Sequence, residues 1–239
     1  MNYYIASCVF SERHAALSER IIHYISERHH LPIVRCCTRR YKVKEFEDKM
    51  VEPVKDIWAS LPDSAQWNEG DIAYSICHNC CNIAEESQRG VSAMSIWELV
   101  LADKDFQYPD YSGMDVVIQD CWRSKERHVE QLAVRELLHK MKIQYNELPE
   151  NFGKTRFCGN SLYRPQPTRN PKLAPKYYKD GAQGLFQPHS LEEQAAIMKD
   201  YCQRFNDKAV VCYCHYCLEG LEMGGAKAFH IAQLLFPQG

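Results

Sequence analysis

The chain has 239 residues, of which 45% are hydrophobic and 25% are charged, and its formal net charge is −2. This length and composition are typical of a globular protein with one large or two modest domains, and they exclude a disordered or fibrous chain. The balanced charge gives no reason to expect a nucleic-acid partner.

Strand-like and helix-like patterns alternate along the chain. Each predicted strand leads into a cysteine, and the four strands are residues 3–7, 71–76, 114–119 and 209–213. Apolar residues at helical spacing predict helices over residues 12–28 and 123–141. Their expected apolar positions are Ala15, Ala16, Ile22 and Ile25 in the first helix and Val129, Leu132, Ala133, Leu137 and Leu138 in the second.

An internal repeat organises these elements. The run from Cys8 to His14 recurs from Cys121 to His128 with one residue inserted, and Cys77-His78-Asn79-Cys80 recurs as Cys214-His215-Tyr216-Cys217. A similar apolar segment follows each Cys-x-x-Cys loop, at residues 96–100 and 231–235. Three landmarks in the same order indicate a duplication.

The repeat predicts the domain organisation. We expect a first half at residues 1–106, a linker at 107–113, and a second half at 114–239 that contains a proline-rich loop at 160–190. Strand–helix alternation predicts an α/β fold in which each half is a mostly parallel sheet flanked by helices. The proline-rich loop is either functional or a surface excursion without a role.

The twelve cysteines are the main functional signal. No export signal follows Met1 and no apolar run reaches the roughly 18 residues of a membrane span, so we expect a cytoplasmic protein. A reducing compartment favours metal ligation or thiol chemistry over structural disulfides. The alternatives are a disulfide-stapled fold, or cysteines that pack as small hydrophobes, as we expect for Cys202.

Most of these thiols lie at the carboxyl ends of predicted strands. Cys8, Cys121 and both Cys-x-x-Cys pairs lie where a strand ends and a helix begins. Ligands collect beyond the carboxyl ends of parallel strands, so we expect these cysteines to converge within each half. A helix N-terminus also lowers the pKa of a thiol and so favours the thiolate that a metal requires.

The first half has more thiols than one four-coordinate site needs. They are Cys8, Cys36, Cys37, Cys77, Cys80 and Cys81. This excess favours a larger or irregular cluster over zinc. A thiol–disulfide oxidoreductase that uses Cys77 and Cys80 is an alternative, but it leaves the other thiols without a role.

In the first half a single Cys is followed by an adjacent Cys pair and a Cys-x-x-Cys, and most of this pattern recurs in the second half. The arrangement resembles the cysteine-rich CCG domain that the catalytic subunit of heterodisulfide reductases carries in two copies. The resemblance implies an oxidoreductase subunit with a non-cubane [4Fe-4S] cluster in the first half, held by Cys8, Cys36, Cys37, Cys77 and Cys80. Thr38 stands where the CCG domain usually has glycine. The implied partner is a ferredoxin-like or flavoprotein electron-transfer subunit, and the implied substrate is a small thiol or disulfide.

The second half departs from this pattern. The matching residues are Cys121, Cys158, Cys214 and Cys217, but Phe157 replaces the first cysteine of the pair. We expect these four to hold a second [4Fe-4S] cluster or zinc, with Cys212 as a candidate fifth ligand.

The sequence leaves open an alternative function for the chain and the role of two histidines. The chain could be a metal-binding scaffold or electron relay without its own substrate. His78 and His215, inside the Cys-x-x-Cys loops, either donate to a cluster or lie on the surface.

Overall fold

The computed structural model describes residues 1–39, 43–52, 54–166 and 170–238. The chain forms two compact units, Met1–Ile96 with Asn170–Lys176 (unit 1) and Trp97–Arg169 with Tyr177–Gly239 (unit 2). Residues 97–113, which include the predicted linker, therefore cluster with unit 2. Part of the predicted proline-rich loop, residues 167–169 with Pro167, lies outside the described residues.

Unit 1 is built on a four-stranded, all-parallel sheet with the order β2-β1-β3-β4. Its strands are β1 Asn2–Ile5, β2 Ile33–Val34, β3 Ile72–Ser75 and β4 Ser92–Ser95. The helices that accompany it are α1 Cys8–Arg13, α2 Ala15–Tyr24, α3 Val43–Glu47, α4 Val54–Ser60 and α5 His78–Ser87. A helix, α6 Ile96–Ala102, follows β4.

Unit 2 repeats this topology in a second four-stranded, all-parallel sheet with the order β6-β5-β7-β8. Its strands are β5 Asp115–Gln119, β6 Gln144–Glu147, β7 Ala209–Cys212 and β8 Ala228–His230. Its helices are α7 His128–Lys140, α8 Leu191–Cys202, α9 His215–Met223 and α10 Ile231–Leu235. The first strand lies between the second and third in both sheets, so the predicted α/β fold of two related halves is confirmed.

Burial explains which strands are central. Val116 and Ile118 of β5 and Val210 and Val211 of β7 are almost completely buried, as expected for parallel strands covered on both faces. Every residue of β6 is exposed, and its sequence Gln-Tyr-Asn-Glu is polar because it is an edge strand.

The helix predictions need two corrections. The helix predicted from residue 12 is divided, because the backbone of His14 (φ −127°, ψ 52°) ends α1, and Ala16 is exposed. In α7, Val129 and Leu132 are also exposed, whereas Gln131 and Arg135 are buried. The other three predicted apolar positions of this helix, Ala133, Leu137 and Leu138, are buried as expected.

Among the described residues, no helix combines the length and the apolarity needed to cross a membrane.

Candidate metal centres

Four cysteines of unit 2 lie beyond the carboxyl ends of its strands, as the strand pattern predicts for Cys121, Cys214 and Cys217. Cys121 follows β5 and begins a short 3₁₀ turn, Trp122–Ser124. Cys158 precedes a second 3₁₀ turn, Gly159–Leu162. Cys214 is the N-cap of α9, and Cys217 lies in the first turn of that helix. Three separate connections of one parallel sheet therefore carry the four thiols.

These four thiols form a compact and buried group, which we call the unit 2 site. Their sulfurs all lie within 4.8 Å of one another, and the Sγ atoms of Cys121 and Cys158 are 3.6 Å apart. None of the four residues is more than 2% exposed. Metal–sulfur bonds of about 2.3 Å in a tetrahedron place sulfurs about 3.8 Å apart, so the group fits a four-coordinate thiolate site.

Two glycines allow the loop of Cys158 to reach this position. Gly159 has a φ of +58°, and a Cβ there would overlap the carbonyl oxygen of Tyr216 and lie 2.8 Å from its carbonyl carbon. From the other side, a Cβ on Gly220 of α9 would lie 2.7 Å from the amide nitrogen of Asn160. The dipeptide Cys158-Gly159 thus has a steric origin, because only glycine fits between this loop and α9.

Phe157 is part of the packing of unit 2. Its ring stacks on Tyr201 of α8, with centroids 4.2 Å apart and an interplanar angle of 16°. Cys212, the candidate fifth ligand, lies within β7, and its thiol contacts the backbone oxygen of Cys214 at 3.8 Å. It is not a member of the compact group.

Two polar side chains contact the thiol of Cys158. Nε of Arg123 donates to its Sγ at 3.0 Å, and Oγ of Ser161 lies 3.3 Å from the same sulfur. Burial opposes ionisation, but the hydrogen bond with Cys121 and the charge of Arg123 contribute to a lowered pKa for Cys158. Burial and the neighbouring thiols raise the pKa of Cys217.

A buried ion pair fixes the strand ends beside this site. Asp120, next to Cys121, accepts hydrogen bonds from Arg135 of α7 at 2.7 and 3.1 Å and from the hydroxyl of Tyr213, next to Cys214, at 2.7 Å. Arg135 also donates to both carboxylate oxygens of Glu147 at 2.7 Å. Because Asp120 joins the neighbours of two cysteines, it holds Cys121 and Cys214 in register.

The five predicted cysteines of unit 1 also converge, but more loosely. Cys8 begins α1, and Cys77 is the N-cap of α5. The thiol of Cys80 forms hydrogen bonds with those of Cys37 and Cys77, and Cys8 interacts electrostatically with Cys36 and Cys77. In the parts of the chain that the structure describes, the unit 2 site is the one group of three or more such ligands within 4.8 Å.

Burial affects the ionisation of two unit 1 thiols, those of Cys36 and Cys8. It raises the pKa of Cys36 to about 12, with the nearby Asp63 adding to the shift. Burial and neighbouring thiols together raise the pKa of Cys8. Without a cation these thiols are therefore protonated at neutral pH, and a metal would have to displace their protons.

The two loop histidines and two further cysteines lie outside the compact group. His78 and His215 are 3% and 2% exposed, so the surface position considered for them is wrong. Cys81 is buried and its thiol contacts the backbone oxygen of Met94 at 3.8 Å. Cys202 is partly exposed and its thiol contacts the backbone oxygen of Leu221 at 3.6 Å.

Sequence reasoning missed Arg123, Ser161 and the Asp120–Arg135 pair. One signal was available for Arg123. The repeat aligns Phe10 with Arg123, so a cation stands in unit 2 where unit 1 has a buried aromatic residue. Hydrogen-bonding partners that are distant in sequence, by contrast, leave no local pattern.

Comparison of the chain with protein-family models, with curated protein sequences and with solved structures gives no match in any of the three.

Proposed function

We propose that this chain is an iron–sulfur oxidoreductase subunit that resembles the catalytic subunit of heterodisulfide reductases. It would exchange electrons between a ferredoxin-like or flavoprotein partner and a small thiol or disulfide. The observation that carries the proposal is the convergence of cysteines at equivalent strand ends in two units of the same topology.

The unit 1 cysteines are the proposed ligands of a non-cubane [4Fe-4S] cluster. When bound, such a cluster would supply the one-electron chemistry that no side chain of this site provides. The five cysteines would bind and orient it, and burial of Cys36, Cys37, Cys77 and Cys80 would limit contact with water. Their looser spacing supports a multi-iron group, because such a group separates its thiolates more widely than one ion does.

For unit 2 we propose a single metal ion, zinc or iron, held by Cys121, Cys158, Cys214 and Cys217. The sulfur separations support one ion over a cubane cluster, because a cubane places four irons and four sulfides between its ligands. The same spacing favours the second candidate function, a metal-binding scaffold or electron relay without its own substrate. Thiolate cages accept both zinc and iron, so spacing alone leaves the element open.

The first prediction concerns metal content after anaerobic purification. We expect about four iron and four sulfide per chain from unit 1 and one further zinc or iron ion from unit 2. Replacement Cys217→Ser should remove the single ion and leave the sulfide, and Cys80→Ser should do the reverse. Elemental analysis with an acid-labile sulfide assay measures both.

Cys202→Ser is the matched control for these variants. The thiol of Cys202 contacts the backbone oxygen of Leu221 and belongs to neither group of proposed ligands. Its metal content should equal that of the wild type. A sulfide-free protein carrying only zinc would rule out the oxidoreductase proposal and leave the scaffold.

A second prediction tests the five-ligand assignment in unit 1. Cys36→Ser and Cys37→Ser should each change the electron paramagnetic resonance spectrum and the reduction potential of the reconstituted cluster, because both remove a proposed iron ligand. Cys81→Ser is the control, since that buried thiol contacts the backbone at Met94. If both Cys36→Ser and Cys37→Ser match the wild type, a four-cysteine site must replace the non-cubane one.

A further inference from the structure

The guanidinium of Arg123 is buried beside the unit 2 site. The residue is 1% exposed, although an arginine is almost never fully buried unless it is paired. Its Nε donates to Cys158 Sγ at 3.0 Å, its Nη2 donates to Ser161 Oγ at 3.3 Å, and its backbone N–H donates to Cys121 Sγ at 3.4 Å. Both its charge and its peptide N–H are therefore directed at cysteines of this site.

Four aromatic rings surround this guanidinium and hold it in place. The ring centroids lie 5.1 to 6.0 Å from its Cζ, and the rings belong to Tyr216, Tyr178, Phe186 and Trp122. Tyr178 and Phe186 come from the segment predicted as the proline-rich loop, so that loop covers the site. Cation–π contacts stabilise a desolvated guanidinium, while its Nε–H still donates to the sulfur of Cys158.

The charge of the site explains why a cation belongs there. Four thiolates around a divalent ion carry an excess of negative charge, which is costly to bury. One guanidinium offsets part of that excess. In the repeat, unit 2 has Phe157 in place of a thiolate and Arg123 in place of Phe10, and both replacements make this site less negative than its counterpart in unit 1.

From this geometry we infer that Arg123 is a positioning residue that stabilises the metal-bound thiolate of Cys158 and sets the electronic properties of the unit 2 ion. The inference rests on the proposed metal site. An N–H···S bond withdraws electron density from the sulfur, which strengthens retention of the thiolate and raises the reduction potential of a bound iron. Ser161 accepts from Arg123 and donates to the backbone oxygen of Cys158 at 2.7 Å, so it holds the guanidinium next to the Cys158 loop.

The test uses Co²⁺, whose thiolate complexes absorb visibly, added anaerobically to metal-free full-length protein. All proteins carry Cys8→Ser, Cys77→Ser and Cys80→Ser, which leave unit 1 without the four thiols that a tetrahedral cobalt site needs. We expect Arg123→Gln to weaken Co²⁺ affinity about ten- to hundred-fold and to move the sulfur-to-cobalt charge-transfer band to longer wavelength. Arg123→Lys should restore part of the affinity, since it keeps the charge but not the planar Nε donor.

Two further variants separate this role from a structural one. Ser161→Ala should shift the band in the same direction by less, because Arg123 loses one acceptor but keeps its hydrogen bond to Cys158. Arg164→Gln is the matched control, because Arg164 lies 5.5 Å from the Tyr216 ring but pairs with Glu219. Its band and affinity should equal those of the parent.

The outcomes distinguish the two proposals. A parent protein that takes up no cobalt contradicts the metal site and this inference together. Cobalt uptake with the same band and affinity in folded Arg123→Gln and Arg123→Lys proteins overturns the inference about Arg123 alone. Circular dichroism establishes that each variant is folded, and Ser161→Ala supplies the band measurement if Arg123→Gln does not fold.

Discussion

Gly159→Ala should abolish metal binding in unit 2 and destabilise that unit by at least about 3 kcal/mol. Backbone strain and a steric overlap both contribute to this destabilisation. The backbone of Gly159 has a φ of +58°, which is unfavourable for alanine, and the new Cβ would overlap the carbonyl oxygen of Tyr216. Since Tyr216 precedes Cys217, relief of the overlap would separate Cys158 from Cys217. Chemical denaturation and metal analysis measure the two effects.

Gly184→Ala separates the two costs. Gly184 has a similar φ of +70°, but nothing lies within 4 Å of the Cβ position. In this control the free energy of unfolding should fall by only about 1 kcal/mol, and the metal should stay bound.

Gly220→Ala reaches the same contact from helix α9. In a solvent-exposed helix interior, this change would raise the free energy of unfolding by up to about 1 kcal/mol. Here the Cβ would lie 2.7 Å from the amide nitrogen of Asn160, so we expect the free energy of unfolding to fall instead. If Gly159→Ala and Gly184→Ala lose the same small amount and both keep the ion, the close approach of the Cys158 loop to α9 does not hold the site together.

Local sequence signals were sufficient to predict that these cysteines lie at the ends of strands. The strand ends before Cys8, Cys77, Cys121 and Cys214 follow from short hydrophobic runs and from the helices that begin beside them. The rule that ligands collect at the carboxyl ends of parallel strands then supplies the convergence. The unit 2 cysteines form one compact buried group as expected, and the same strand order in both sheets explains why the repeat is visible in the sequence.

What surrounds the cysteines depends on contacts that no local pattern encodes. Asp120 and Tyr213 meet across 93 positions of sequence, and their hydrogen bond connects two strand ends of unit 2. The exposure of Val129 and Leu132 has the same origin. Arg135 of α7 faces Asp120 and Glu147, so the buried side of the helix includes a paired arginine as well as apolar side chains.

Phe157 departs from the adjacent-cysteine motif, and its contacts in the fold explain what the residue does there. From sequence, its place in the adjacent-cysteine pattern marks a lost ligand. In the fold its ring stacks on Tyr201, and its backbone oxygen accepts the N–H of Trp122 at 2.8 Å, beside Cys121. The position that would carry a fifth thiolate therefore contributes to the packing under α8.

Phe157→Cys should consequently lower the free energy of unfolding by about 3 kcal/mol, near the lower end for loss of a buried phenyl ring because cysteine keeps a sulfur in its place. The backbone contact with Trp122 does not depend on the side chain, so the four native cysteines should still bind their ion. Phe157→Leu, which keeps most of the apolar volume, should cost less than about 1.5 kcal/mol. Denaturation curves of both variants, with metal and sulfide analysis, test this. A Phe157→Cys protein as stable as the wild type, with additional iron and sulfide, would show that a fifth thiolate still fits the unit 2 site and that the stack on Tyr201 is dispensable.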